Sequence, residues 1–195
     1  MFTSILQLPF KPRKQFAFLT DHYPLPLAAA IILSISILHT FITNYISLGT
    51  NQSQIFSDDP WLLVLAVLFG GISVFILPVI LKGASSIYDH SLSYQKAFWV
   101  NILTIIPSLF LLPVALIGLF LFLTQGSTPA LFTNVYRVLE WLSFIWIFVV
   151  AVGTIQVAAN TSRPKSLTIA FTYFCFTVIA AVVAVLFLAG FFATF

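Results

Sequence analysis

Five stretches of this chain are apolar for about 20 residues or more, the length a helix needs to cross a hydrocarbon core of ~30 Å. That repetition limits the fold more than any other feature. The runs cover roughly Pro24–Leu48, Trp61–Leu81, Ala97–Leu123, Val138–Ala159 and Leu167–Phe192. Each is continuously apolar rather than alternating, so the spanning elements are helices and not barrel strands. The expected fold is all-α, a polytopic bundle of five transmembrane helices.

Composition agrees. The chain is 61% hydrophobic and 7% charged, with a mean hydropathy of +1.10. A soluble domain carries about 25% charged residues, so these charges are too few to cover a globular surface. Residues 1–23 form a short N-terminal segment with no core of its own, and residues 24–195 form the transmembrane domain. The first apolar run is too long for a cleaved signal peptide and reads as a permanent span. The net charge of +3 comes from basic residues scattered through short loops, which excludes a nucleic-acid surface. Cys175 is the single cysteine. It has no disulfide partner and no ligand cluster, so neither a metal nor another cofactor is expected, and it reads as a small packing residue.

The loops vote on orientation. Lys11, Arg13, Lys14, Lys82, Lys96, Arg163 and Lys165 fall on one side, while Asp58, Asp59, Arg137 and Glu140 fall on the other. Basic loops stay in the cytoplasm. This predicts a cytoplasmic N-terminus and, with an odd number of spans, a C-terminus outside. Trp61, Trp99 and Trp141 lie near span ends, where indoles favour the headgroup region, while Trp146 lies deeper and reads as a packing residue. Phe2, Ile5, Leu6, Leu8 and Phe10 precede the basic cluster Lys11, Arg13 and Lys14. That pairing suits a segment lying on the membrane surface with the cations on lipid headgroups; the competing reading is a frayed terminus.

No Asp, Glu, Lys or Arg falls near the middle of a span, which speaks against active transport by this chain alone. Ser36, His39, Thr40, Thr43 and Asn44 share a face of the first span. They form either a polar pathway with His39 as titrating group or a hydrogen-bonded helix contact; the contact is the preferred reading. Asn101, Thr104 and Ser108 share a face of the third span, which contains Pro107 and Pro113. The prolines predict a bend, either a hinge or a kink set by packing. Gln156 lies near the inner end of span four, within reach of the interface. Ala66 with Gly70, and Ala180 with Ala184, have the four-residue spacing of close helix packing, within the molecule or at an oligomer seam.

The loop Lys82–Lys96 reads KGASSIYDHSLSYQK. Asp89 and His90 beside Ser91 resemble hydrolase chemistry only superficially, because a nucleophile, base and orienter must converge from different elements on a prepared oxyanion site. Tyr88, Asp89, His90 and Tyr94 are instead candidates for docking a partner, against the alternative of a solvated connector. No phosphate loop, metal cluster or lipidation signal is present in the sequence, and no enzyme is expected.

Several short stretches resemble the Yip family, the Ypt-interacting proteins, in its prokaryotic branch. They are Pro12-Arg13 with Phe16; Lys82-Gly83 followed by Ser93-Tyr94-Gln95-Lys96-Ala97; Pro107; and Trp146, Gly153 and Ser162 to Lys165. The resemblance implies a five-span protein of a prokaryotic cytoplasmic membrane acting without catalysis. The eukaryotic branch engages prenylated GTPases through long N-terminal regions. This chain's N-terminal region is far shorter and lacks those acidic and aromatic motifs, so a GTPase partner is not expected. The leading expectation is a scaffold or accessory subunit binding another membrane protein complex. The alternative is a small channel or transporter along the polar face of span one.

Overall fold

The computed structural model describes residues 7, 10–48, 74–126 and 128–192, and every regular element among them is a helix. In chain order these are α1 (Pro12–His22) and α2 (Leu25–Leu48), then α3 (Val74–Ser86). There follow α4 (Tyr94–Thr104), α5 (Ile106–Leu109), α6 (Leu112–Gln125), α7 (Ala130–Ala158) and α8 (Arg163–Phe192). By length and composition α7 and the stretch Arg163–Ala184 of α8 can each cross a membrane, and the bent run from α4 to α6 makes a third candidate.

Local chemistry sets the helix ends. α1 opens on Pro12, whose missing N–H lies where a helix leaves its donors unpaired anyway. Ser93 caps α4, its Oγ accepting from the Lys96 amide at 3.3 Å. α6 stops at Gly126, which has φ 71° and donates its amide to the Phe122 carbonyl at 2.9 Å.

The expected third span, 97–123, is broken. Pro107 and Pro113 each fall in the first turn of a new helix, α5 and α6, and the run bends by 44°. A proline cannot donate to the carbonyl one turn back. Ser108 Oγ donates to the Ile105 carbonyl at 2.6 Å, so a side chain serves the backbone at the break. The other boundaries also shift. α7 begins eight residues before the expected Val138, α8 begins four before Leu167, and α3 continues five past Leu81. Polar residues at the ends stay helical because the helix extends past the apolar run.

Helix α7 is the hub, with α1, α4, α5 and α8 all packed on it, while α2 lies against α6 and α4. The core includes Leu81, Val100, Ile102, Ile106, Val150, Ile155 and Ile169, all fully buried. Lipid tails are as apolar as these side chains, so dispersion and interhelical hydrogen bonds carry the association. Asn101 shows the second term. Its Nδ2 donates to the Val74 carbonyl at 3.4 Å, and its Oδ1 accepts from the Tyr173 hydroxyl at 3.1 Å, tying α3, α4 and α8 together.

Two tryptophan readings change. Trp99 is 3% exposed and belongs to the core rather than an outer surface, on a helix that packs against both α7 and α2. Trp146 is partly exposed and makes an edge-to-face contact with Phe10, 5.2 Å between ring centres. Trp61 lies outside the described residues.

Candidate functional site

One end of the bundle gathers most of the unusual geometry. It is built from the α3–α4 loop, the α7–α8 loop and α1. Helices α3 and α7 finish there in the same way. The Asp89 and His90 amides donate to the Ser86 and Ser85 carbonyls at 3.2 and 3.1 Å, and Asp89 has φ 60°. The Asn160 and Thr161 amides donate to the Val157 and Gln156 carbonyls at 3.2 and 3.1 Å, and Asn160 has φ 47°. Both patterns are Schellman turns, which need a left-handed residue just past the helix. Asp and Asn tolerate that conformation better than other residues with a Cβ.

The two turns are joined. His90 Nε2 and Thr161 Oγ1, on the residue after each left-handed position, lie 3.1 Å apart. The Tyr88 hydroxyl lies 2.8 Å from Thr172 Oγ1 on α8, and the Tyr94 hydroxyl donates to the Phe75 carbonyl at 3.2 Å. Of the four candidate docking residues, Tyr88, His90 and Tyr94 therefore spend their polar atoms on the chain itself. The loop is not a loose connector. Asp89 remains exposed at its apex beside Ile87, which is 58% exposed.

Helix α1 completes this end. Gln15, Phe16 and Leu19 are buried in the bundle. It crosses α7 at Gly153. A Cβ there would lie 2.5 Å from Pro12 Cγ and 2.9 Å from Pro12 Cβ. Only glycine allows that approach. Residues 1–6, 8 and 9 lie outside the described residues, so the expected surface segment is not placed. Lys11, Arg13 and Lys14 are exposed. Arg13 joins Pro12, Gly153, Arg163 and Pro164 around one cavity of about 540 Å³.

The intramembrane candidates divide. His39 Nε2 lies 3.0 Å from the Tyr136 hydroxyl of α7, which is the helix-contact geometry. The side chains of Ser36, Thr40, Thr43 and Asn44 lie outside the described residues, as do Ala66 and Gly70. Ala180 and Ala184 are exposed. Neither belongs to the buried core. Gln156 also departs from expectation. Its Oε1 is buried without a hydrogen-bond partner rather than reaching an interface. Cys175 is exposed and faces the groove between α7 and α8.

Sequence reasoning missed the α1–α7 crossing and the His90–Thr161 pair. Pro12 with Phe16 and Leu19 at helical spacing was the available signal for α1. No local signal announces a pair 71 residues apart. Among the described residues no group of three metal-ligating side chains converges. No family model, curated protein or solved structure matches the chain.

Proposed function

We propose that this chain is a non-enzymatic integral membrane scaffold or accessory subunit that holds another membrane protein complex. In this reading it has five spans, a cytoplasmic N-terminus and an outside C-terminus. The observation that carries it is the pre-built end of the bundle. Two matched helix turns, the His90–Thr161 pair and the seating of Pro12 on Gly153 hold the loops in one arrangement. A surface ordered before a partner arrives loses less conformational entropy on binding. The partner's footprint moves accordingly, from Tyr88, His90 and Tyr94 to the exposed Ile87, Asp89 and Ser91.

The positive-inside distribution of basic residues supports the orientation. The resemblance to the prokaryotic Yip branch supports both the membrane and the accessory role. Pro12-Arg13, Gly153 and Arg163-Pro164, distant in sequence, meet at one cavity. The channel alternative has less support, since His39 is engaged with Tyr136. Purification from native membranes in mild detergent, followed by mass spectrometry, tests the proposal. A stoichiometric membrane partner is expected, and Ile87→Arg with Asp89→Lys should release it. Recovery of the free protein alone would overturn the scaffold reading.

A further inference from the structure

The cavity beside Gly153 has a chemistry that the scaffold surface does not use. Its walls are apolar at Phe148, Val149, Val152 and Leu167, and its charged residues are Arg13 and Arg163. Both arginines are exposed, and no carboxylate lines the space. A second hollow of about 670 Å³ lies between α7 and α8 and shares Phe148 and Val149 with the first, so the two adjoin. That hollow has no charged residue and continues along α8 past Phe171 and Phe174 to Ile179.

We infer that these joined hollows hold one anionic glycerophospholipid, its phosphate between Arg13 and Arg163 and an acyl chain in the groove between α7 and α8. The inference rests on the membrane placement proposed above, and not on the protein partner. A guanidinium offers a planar fork of donors that matches phosphate oxygens. The field has a further source. α1 and α8 both begin at this cavity, and neither has an acidic residue in its first turn, so their positive ends add to the two arginines. From Arg163 to Ile179 the helix rises about 24 Å, more than half of a ~30 Å hydrocarbon core. An acyl chain therefore has wall on both sides across its own leaflet.

Each part of the site discriminates. A soluble phosphate compound leaves the apolar groove unfilled. A zwitterionic lipid sets its own cation beside two guanidiniums. An anionic lipid satisfies both regions.

The test uses the full chain, delipidated in neutral detergent and titrated by native mass spectrometry. The probes are phosphatidylglycerol and phosphatidylcholine of identical acyl chains. Phosphatidylglycerol should bind about 30-fold more tightly, the scale of two basic residues acting on an anionic lipid. Arg13→Gln with Arg163→Gln should remove that preference, while Lys82→Gln with Lys96→Gln, an equal loss of charge away from the cavity, should keep it. Val149→Trp, which fills the junction of the hollows, should weaken both lipids. Equal affinity of the wild-type chain for the two lipids would overturn the site. So would equal loss in the lysine pair, unchanged binding in Val149→Trp, or displacement of the lipid by equimolar glycerol phosphate. No protein partner is present, so failure here leaves the scaffold proposal standing, and failure of co-purification leaves this site standing.

Discussion

The first half of α8 is held from several sides, while the described side chains of its second half are exposed. Ser166, Ile169, Ala170 and Tyr173 are buried, with Tyr173 bonded to Asn101 and Thr172 to Tyr88. From Val178 to Ala184 the described side chains are exposed. Both halves are apolar and helical, and both contain small residues. What separates them is how fully neighbouring elements enclose each. The same lesson holds for the small residues themselves. Gly153 admits Pro12 at a distance no side chain would allow, while Ala180 and Ala184, with the more familiar packing spacing, are exposed. Spacing permits a close approach, but a crossing partner must use it.

The largest test of this contrast is Gly153→Leu. The added side chain meets a proline ring that is fixed to its own backbone, so α1 must move. Overpacking of this kind costs about 1–3 kcal/mol, read as a lower melting temperature in detergent and faster proteolysis near Pro12. An unchanged melting temperature would show that α1 is loosely seated. Asn101→Leu should come next. It leaves the Tyr173 hydroxyl and the Val74 carbonyl without their partner, at about 1–2 kcal/mol for a buried polar pair. Tyr173→Phe should lose less than Asn101→Leu, since it removes only one of the two bonds.

Smaller effects sharpen the end of the bundle where the two helix turns meet. His90→Ala and Thr161→Val should each lose about 0.5–1 kcal/mol, and the double variant little more than either alone, because they remove the same bond. Full additivity in that cycle would show that the pair contributes nothing. Asp89→Gly should raise stability by a few tenths to about 1 kcal/mol, since glycine accepts the left-handed backbone without strain. The sign of that change is the check. Ala184→Leu should change stability by less than about 0.5 kcal/mol. If it instead changes the oligomeric state in size-exclusion chromatography, the exposed half of α8 is covered by a second copy.

Much of the helical content was legible in the sequence, and so were the proline breaks of the third run. The reason is local. A continuous apolar stretch and a proline without its N–H dictate backbone behaviour within a few residues. The candidate site was legible in part. The loop from Lys82 to Lys96 stood out by composition, but composition could not say that Tyr88, His90 and Tyr94 bond to the chain itself. Nor could it show that Trp99 is enclosed, because position near a span end says nothing about which neighbour covers a ring.

By itself, then, the sequence determined that this chain is helical, that its helices suit a lipid environment, and where its prolines interrupt them. Those properties follow from hydropathy and backbone stereochemistry, which act over one or two turns. The tertiary structure alone decided that α1 rests on Gly153, that two helix ends share one His90–Thr161 contact, and that Arg13 and Arg163 face a common cavity. Those arrangements join residues 71 to 150 positions apart. Contacts at such separations depend on how helices cross, and crossing is settled by packing across the whole bundle rather than by any local run of residues.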